Sequence, residues 1–391
     1  MARLGDLFLH IRNGANIKQG LDNTGYPITR IETISNRTVD RNKMGYAGIT
    51  DLEKYSDFVM QDGDILMSHI NSEIHLGKTA LYEKEGDEII IHGMNLLSLR
   101  PKKDLITSKY AFYYLSSQSF LRQIPNITKK SVNQASFTVS ALKELAFPIP
   151  SIEEQKKITL DLDKVNDLIS LRKQQLSKLD ELVKARFIEL FGDPETNPYG
   201  WKSATVGDVC SSIVRGPFGS SLKKEFFVEP DKTTYKVYEQ KHAIQKSATI
   251  GTYYITAEKF HELRRFECVA GDILMSCSGT MGELYQLPEG CEKGLINQAL
   301  CKFTLNKKIL PIVFLTYMKQ TIGNLETKGS GIQNIAAVSY VKAMPINLAP
   351  MEVQEQFATF VEHTDKSKLE IQKSLEKLET LKKALMQKYF G

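Results

Sequence analysis

The hexapeptide GDILMS occurs twice in this chain, at residues 63–68 and again at residues 271–276. A second pair of similar segments precedes it, because LGDL at residues 4–7 returns as VGDV at residues 206–209. Internal repeats are the first kind of organisation to look for, since a missed repeat leads to a wrong fold. The two pairs suggest that one sequence has been duplicated within the chain.

Later segments support the duplication because their matching positions keep one constant separation. These positions pair Gln134 with Gln333, Gln155 with Gln354, Leu176 with Leu375, and Phe191 with Phe390. We interpret the chain as a tandem duplication of a unit of about 195 residues.

The composition is that of an ordinary globular protein. The chain has 391 residues, of which 42% are hydrophobic and 25% are charged, and this length predicts two or more domains. No apolar run approaches the roughly 18 residues of a membrane span, and the first residues, MARLGD, lack the apolar run of a signal peptide. Five scattered cysteines without C-x-x-C spacing indicate reduced thiols. We therefore expect a cytoplasmic protein without a membrane segment.

Each copy divides into a globular part and a long helix. Residues 1–150 and 193–349 mix short apolar runs with Gly, Asn and Ser, a pattern that predicts short strands and a few helices. One of these helices is predicted over residues 108–124. Residues 151–192 and 350–391 are predicted to be long helices. The fold class is therefore α+β, with two similar globular domains separated by two long helices and related by a pseudo-twofold duplication.

The long helices carry apolar residues at a spacing of three and four. The first is expected to begin near Ser151, a candidate cap, and to end at Gly192, because glycine favours a helix end. A stripe this long is typical of a coiled coil, and two such helices can bury their stripes against each other as an antiparallel pair. The alternative is an ordinary helix packed on its own domain. The predicted seam is Ile158, Leu162, Val165, Ile169, Leu176, Leu179, Val183, Phe357, Val361, Ile371, Leu375, Leu378 and Leu385.

The positive charge lies outside the helices. Residues 153–191 hold eight basic and eight acidic side chains, and residues 352–391 hold seven of each. The formal net charge of +5 therefore belongs to the globular parts and connectors. Balanced helices suit pairing with protein, whereas basic globular parts suit phosphate.

The sequence contains no convincing catalytic or metal-binding motif. Gly77-Lys78-Thr79 lacks the first glycine of a phosphate-binding loop, since Ser72 stands there. Asp231 and the segment Glu239-Gln240-Lys241 are weak candidates for a nuclease site, and we interpret them as solvated charges. The histidines show no paired metal spacing.

Polar loops of both copies suit phosphate and base edges instead. They are RGPFGSSLKK (215–224), SCSGTMG (276–282), ETKGSGIQNI (326–335) and ITKKSVNQ (127–134). Lys and Arg contact phosphate and can read guanine, while Asn and Gln can read adenine; the alternative is polar turns without a ligand. The candidate DNA-binding residues are Arg12, Lys18, Lys78, Lys129, Lys130, Asn133, Gln134, Arg215, Gly216, Gly219, Ser220, Ser221, Lys223, Lys224, Ser278, Thr280, Lys328, Ser330, Gln333 and Asn334.

The segments PIPSIEEQKKI (148–158) and ARFIELFGD (185–193), which bound the first helix, resemble the central region of specificity (S) subunits of type I restriction–modification enzymes. GPFGSSL, INQ and GSGIQNI, together with the serine- and glycine-rich loop that follows GDILMS, resemble segments of that family's target-recognition domains. The first copy differs, because SHINSEIHLGKTA (68–80) lacks the Ser-Gly-Thr-x-Gly of the second and NGANIKQG (13–20) replaces GPFGSSL. This difference fits a domain that reads a different half-sequence.

The resemblance implies two target-recognition domains, each reading one half of a split sequence in double-stranded DNA. It also implies that two methyltransferase subunits dock on the helices and that restriction (translocase) subunits join through them. S-adenosylmethionine, ATP and Mg²⁺ would then act on those partners, and this chain would bind no cofactor or metal and catalyse nothing. The alternatives are a coiled-coil scaffold that binds only protein and a stand-alone DNA enzyme.

Overall fold

The structure, a computed structural model, describes residues 1–17, 24–34, 37–131, 134–194, 196–218, 220–327 and 337–391. These residues form two compact units, each with one globular part and one half of each long helix. Unit 1 comprises Met1–Gln174 and Gln372–Gly391, and unit 2 comprises Gln175–Ile371. No helix in the described ranges is long and apolar enough to cross a membrane.

The globular part of unit 1 combines short strands with four short helices. The strands are β1 (Ala2–Arg3), β2 (Phe8–Asn13), β3 (Ile65–Ser68), β4 (Ile70–Asn71), β5 (Thr79–Leu81), β6 (Leu96–Pro101), β7 (Lys129–Lys130), β8 (Ala135–Ser136) and β9 (Ala146–Phe147). The helices are α1 (Ser108–Leu115), α2 (Gln118–Leu121), α3 (Ile124–Ile127) and α4 (Val139–Lys143), followed by the long helix α5 (Ile152–Phe191).

The globular part of unit 2 repeats this design, and its first and last strands are longer than those of unit 1. Its strands are β10 (Lys202–Thr205), β11 (Cys210–Arg215), β12 (Tyr235–Tyr238), β13 (Tyr254–Ile255), β14 (Glu267–Cys268), β15 (Ile273–Ser276), β16 (Leu284–Gln286), β17 (Gly294–Ile296), β18 (Leu300–Leu305) and β19 (Pro345–Leu348). Its helices are α6 (Gln240–Ile244), α7 (Ala257–Glu262), α8 (Pro311–Thr327) and α9 (Val338–Ala343), and the second long helix is α10 (Met351–Phe390).

Both units contain the same antiparallel sheet. Its strand order is β2-β6-β3-β5 in unit 1 and β11-β18-β15-β16 in unit 2. In each unit the first and last strands of the globular part also pair with each other, β1 with β9 and β10 with β19. The predicted duplication is therefore confirmed in three dimensions.

The repeated hexapeptide has one structural role in both units. Gly63 and Gly271 adopt φ angles of +90° and +88°, which favour glycine because other residues meet a steric clash there. The carboxylates of Asp64 and Asp272 then accept the backbone N–H three residues earlier, at 2.8 Å and 3.0 Å. The last four residues, ILMS, form the fully buried strands β3 and β15. The hexapeptide thus makes a tight turn and then a central strand.

The first long helix begins and ends as its capping residues predict. At the start of α5 the Ser151 hydroxyl accepts the Glu154 N–H at 3.3 Å, while the Glu154 carboxylate accepts the Ser151 N–H at 3.1 Å. At its end Gly192 adopts a φ of +76°. In contrast, the helix predicted over residues 108–124 is interrupted. The Ser117 hydroxyl accepts the Phe120 N–H at 3.2 Å and begins the separate helix α2.

The two long helices pack antiparallel within each unit. In unit 1 the first half of α5 meets the last half of α10, and the Tyr389 hydroxyl donates to Asp161 at 2.6 Å. In unit 2 the last half of α5 meets the first half of α10, where Phe187 contacts Phe357 with ring centroids 5.4 Å apart. Every residue of the predicted seam is buried or half-buried. The helices also belong to the globular cores, since Leu162 and Phe390 pack in the core of unit 1.

A buried glutamine joins each long helix to its globular part. The Gln155 side chain accepts the Thr107 N–H at 2.8 Å and donates to two backbone carbonyl oxygens, each at 3.0 Å. Gln354 accepts the Leu310 N–H at 2.9 Å and donates to two carbonyl oxygens at 3.0 Å and 2.9 Å. The matching glutamines of the sequence repeat are therefore matching hydrogen-bond centres.

Candidate nucleic-acid interface

Several strand ends of unit 2 meet at one edge. Strands β11 and β15 are both antiparallel to β18, so they run in the same direction and end on the same side. Strands β12 and β17 form a parallel pair. Backbone hydrogen bonds join the segments that follow these strands: Cys277 N–H donates to Ala299 O at 2.7 Å, and Asn297 N–H donates to Tyr238 O at 2.9 Å.

This edge presents mostly polar side chains, and we call it the strand-end surface of unit 2. It is formed by Arg215, Phe218, Gln240, Ser278 and Gln298. The Arg215 side chain donates to the Gln298 backbone oxygen at 3.3 Å, and the Ser278 hydroxyl donates to Gln240 Oε1 at 2.7 Å. Phe218 is 88% exposed. A cation, an amide, a hydroxyl and an exposed ring are groups that contact phosphate and base edges in protein–DNA interfaces.

A glycine allows the segments of this edge to approach closely. A Cβ at Gly216 would lie 1.9 Å from the Asn297 carbonyl oxygen, and one at Gly14 in unit 1 would lie 2.2 Å from the Gly93 carbonyl oxygen. No side chain fits at such distances. The Gly216 N–H donates to Leu300 O at 3.0 Å. The close approach at this edge is therefore the same in both units, whereas the backbone hydrogen bonds beside it differ, since Gly93 N–H donates to the Thr29 hydroxyl in unit 1.

The strand-end surface of unit 1 carries different side chains. The two units can be aligned by their shared glycine position and shared strand ends. In this alignment the positions of Arg215, Gln240, Ser278 and Gln298 in unit 2 are occupied in unit 1 by Asn13, Ile31, Ile70 and Met94. Three of these four positions are thus apolar in unit 1, whereas all four are polar in unit 2.

Two buried histidines lie at the strand-end surface of unit 1. His69 follows β3 and His92 precedes β6; they are 4% and 2% exposed. Burial lowers the pKa of His69 to about 4 and that of His92 to about 3. His69 Nδ1 and His92 Nε2 have no hydrogen-bond partner among the residues that the structure describes. Both rings are therefore neutral at pH 7.

The described candidate residues of unit 1 lie at separate places, since β2 and β5 are opposite edges of one sheet. Lys129 and Lys130 form the exposed strand β7, Gln134 precedes its partner β8, and Lys130 pairs with Glu73 at 2.8 Å. Elsewhere, the Arg12 guanidinium lies 5.1 Å from the centre of the Phe58 ring, and Lys78 precedes β5. The structure brings the residues of the β7–β8 hairpin together.

The described candidate residues of unit 2 lie in the segments that follow β11 and β15. Arg215 and Ser278 belong to the surface itself. The Thr280 carbonyl accepts the Ser276 hydroxyl at 2.6 Å, so the loop folds back over the end of β15. Ser220, Ser221 and the exposed Lys223 and Lys224 follow Phe218 in the chain, and Lys223 pairs with Glu225 at 3.6 Å. Seven candidates lie outside the described residues: Lys18, Asn133, Gly219, Lys328, Ser330, Gln333 and Asn334.

Gln240 and Gln298 belong to this surface although the sequence did not predict them as candidates. Gln240 stands inside the segment considered for a nuclease site, where the structure gives the charged residues local roles. The Asp231 carboxylate accepts the Thr233 N–H of its own turn at 2.6 Å. Glu239 precedes α6 and pairs with Lys241 at 2.6 Å. Within the described ranges, no three His, Cys, Asp or Glu side chains are grouped to hold a metal ion.

The fold and these surfaces define a class of protein: a duplicated α+β chain with two globular domains that present strand-end loops, and with two long helices packed antiparallel. A family model described as the type I restriction modification DNA specificity domain matches this chain twice, at residues 1–181 and 198–383. The chain belongs to this family. It is a DNA-specificity subunit without catalysis of its own, and the scaffold alternative is not favoured.

Individual relatives agree with the family. The protein described as the type I restriction enzyme MjaX specificity subunit of Methanocaldococcus jannaschii is 32% identical over 391 residues, which cover 98% of this chain and 90% of the relative. The MjaVIII specificity subunit of the same organism is 29% identical over 42% of this chain and 36% of that protein.

Solved structures share the fold. One such chain comes from a structure that concerns complex assembly and conformational transition of the type I restriction–modification system. It has a TM-score of 0.61 at 16% identity, and the match covers 100% of this chain and 96% of that one. The S subunit of the type I system from M. genitalium has a TM-score of 0.53 at 15% identity, covering 100% of this chain and 95% of that one. The predicted two-domain, two-helix fold is confirmed by this likeness.

Proposed function

We propose that unit 1 and unit 2 each read one half of a bipartite target in double-stranded DNA. The observation that carries the proposal is the pair of strand-end surfaces, which share a strand order and a close-approach glycine and differ in side chains. A shared sheet lets both units approach a duplex in the same way. Different side chains give each unit its own base preference, because base-edge contacts specify sequence whereas phosphate contacts position the protein.

The phosphate contacts of this proposal come from exposed lysines and from the half-buried Arg215. In unit 2 these are Arg215, Lys223 and Lys224, and in unit 1 they are Lys129 and Lys130. Each contact with a phosphate releases counterions, so binding should weaken steeply as salt increases. The remaining candidate residues of the two units belong to the same proposal.

The helices are the proposed docking site for two methyltransferase subunits, and restriction subunits join through that complex. Support comes from the exposed leucines that remain on α5 after its seam is buried, among them Leu160, Leu168 and Leu171, which are 54%, 43% and 47% exposed. S-adenosylmethionine, ATP and Mg²⁺ would act on those partner subunits. The complex would act on its DNA target in the cytoplasm.

A domain exchange tests the proposal. Residues 1–140 are replaced by those of a relative with a different target, and the chimera is assembled with its methyltransferase partner. The methylated sites are then sequenced. We expect one half of the target to change while the other half stays the same. A chimera that altered both halves, or neither, would contradict the modular division.

Gel-shift titrations of the assembled complex with duplex DNA at increasing salt provide the second measurement. Binding that requires the target sequence and weakens with salt supports the proposal. If the complex shows no binding to DNA, the chain acts as a scaffold for protein only.

A further inference from the structure

We propose that Gln240, held in place by Ser278, reads an adenine in the half-target of unit 2. This inference rests on the proposed function. It names Gln240 as a residue that reads a base, adenine as that base, and Ser278 as the residue that positions Gln240. It also implies that unit 1 and unit 2 differ at the same place.

The first observation is the hydrogen bond between the two side chains. Ser278 follows β15 by two residues, and its hydroxyl donates to Gln240 Oε1 at 2.7 Å. Gln240 is the first residue of α6, directly after the β12 segment. Both side chains are half-exposed. The Gln240 amide is therefore fixed at the surface, with its oxygen towards Ser278.

The second observation is that the rest of the amide remains open. Among the described residues, no other hydrogen bond of the Gln240 side chain is present. Gly279 lies beside it with a φ of +61°, and a Cβ there would be 3.5 Å from Gln240 Nε2. An amide oxygen accepts two hydrogen bonds and an amide nitrogen donates two. Gln240 can thus still accept one bond and donate two.

This pattern matches adenine. In the major groove adenine offers an acceptor at N7 and a donor at N6, and a glutamine amide binds both at once. Guanine offers acceptors at both N7 and O6. Because the Ser278 bond keeps Oε1 oriented, the amide oxygen would face the O6 acceptor of guanine, which is repulsive. A fixed amide therefore favours adenine over guanine.

The same position in unit 1 has no hydrogen-bonding side chain. The helical turn after the corresponding strand begins alike in both units, since Arg30 N–H donates to Thr33 Oγ1 at 2.8 Å and Glu239 N–H donates to His242 Nδ1 at 2.8 Å. This match places Ile31 where unit 2 has Gln240. Ile70 follows β3 by two residues, as Ser278 follows β15. An aliphatic pair can contact only an apolar group, such as the methyl of thymine.

The test measures binding of the full chain, assembled with its methyltransferase partner, to its duplex target and to duplexes changed at one base pair. In Gln240→Ala the preference for adenine at one position of one half-target should fall roughly 5- to 150-fold, the discrimination of one bidentate contact. Ser278→Ala should lower the same preference by less, because the amide is present but no longer fixed. Ile31→Ala is the matched control and should leave that position unchanged.

A second replacement of Gln240 changes the hydrogen-bonding groups that the side chain offers to a base. Gln240→Glu keeps the size but offers only acceptors, so the preferred base should move from adenine to cytosine, whose N4 donates. Unchanged preferences at every position in both Gln240 variants, with thermal unfolding as in the wild type, would overturn the inference and leave the proposed function standing. Loss of sequence-dependent binding by the wild-type complex would instead defeat the proposed function.

Discussion

The strand-end surfaces of the two units differ in side chains but share a strand order and a close-approach glycine. Unit 2 presents Arg215, Gln240, Ser278 and Gln298, whereas unit 1 presents Asn13, Ile31, Ile70 and Met94 at the same places. The close-approach glycines, the GDILMS turn and the buried glutamines are retained in both. Residues that fix the main chain have thus been kept after the duplication, while exposed residues have changed. This is the division of roles expected of two readers built on one fold.

The units also differ in how their helices meet the globular core. In unit 2, Phe187 is fully buried and contacts Phe191, Tyr317 and Phe357. In unit 1 its repeat position is Met386, which is only partly buried against the core. The helix pair thus has an aromatic anchor in both units, because the Phe390 ring lies 5.5 Å from the Tyr110 ring in unit 1, but a methionine replaces the Phe187 ring of the unit 2 anchor.

The largest expected effect on stability comes from removal of the Phe187 ring. Phe187→Ala should lower the free energy of unfolding by about 3–5 kcal/mol, because it removes a fully buried ring and leaves a cavity. Met386→Ala should lower it by about 1–2 kcal/mol, since its side chain is only partly buried. Denaturant unfolding of both variants measures the difference. Equal losses of unfolding free energy in the two variants would show that the two positions are equivalent. The control is Leu182→Ala, at an exposed position.

The next largest effect is a loss of stability when either buried glutamine is replaced, and it should be equal in the two units. Gln155→Leu and Gln354→Leu each leave one buried N–H and two carbonyl oxygens without their partner. Each variant should lose about 2–3 kcal/mol of stability, because unpaired buried polar groups are costly. Thermal unfolding beside the exposed control Gln174→Leu measures this. A loss confined to one unit would mean that the repeated glutamines do not share a role.

Acid should affect unit 1 more than unit 2. Burial lowers the pKa of His69 to about 4 and of His92 to about 3, below the usual value of about 6.5. The unfolded chain takes up these protons first, so stability is present above pH 6.5 and is lost as the pH falls towards 4. Each histidine contributes about 1.4 kcal/mol per pH unit in that interval.

His69→Gln tests this pH dependence. The variant should show a smaller decrease in melting temperature between about pH 7 and pH 5 than the wild type, since one proton-binding group is gone. His261→Gln, at an exposed position of unit 2, should retain the wild-type dependence. An unchanged pH dependence in His69→Gln would mean that another group is responsible.

The smallest effects concern single phosphate contacts. Lys129→Gln in unit 1 and Lys224→Gln in unit 2 should each reduce the salt dependence of DNA binding by about one counterion, across all sequences. Lys130→Gln should change it less, because Lys130 is already paired with Glu73 at 2.8 Å. Plots of log Kd against log salt measure the three slopes. A larger change for Lys130 than for Lys129 would reverse the assignment of phosphate contacts.

Much of the fold could be predicted because its signals are local. The long helices were expected at residues 151–192 and 350–391, and α5 and α10 span Ile152–Phe191 and Met351–Phe390. Apolar spacing and capping residues lie within each helix, so the sequence alone contains them. The break between α1 and α2 was missed because the hydroxyl of Ser117 had to be recognised as a cap rather than as a polar residue on a continuing helix.

The strand-end surfaces could be predicted only in part, because they depend on distant pairing. Arg215 and Ser278 were found by loop composition. Gln240 and Gln298 were not, since their place beside these residues follows from the parallel pairing of β12 with β17 and from the hydrogen bond of Cys277 to Ala299. Neither pairing has a signature within one segment. Side-chain roles at such an edge require the three-dimensional arrangement.

The pairing of the first and last strands within each globular part bears on how new specificities arise. Ala2 lies opposite Phe147, and Lys202 lies opposite Leu348, so each part receives and returns the chain at one place. A foreign segment that keeps this strand pair can replace everything between its ends without moving the start of the helix that follows. Genetic recombination between two such genes can therefore exchange one globular part in a single event and leave the long helices, the proposed docking site for partner subunits, unaltered.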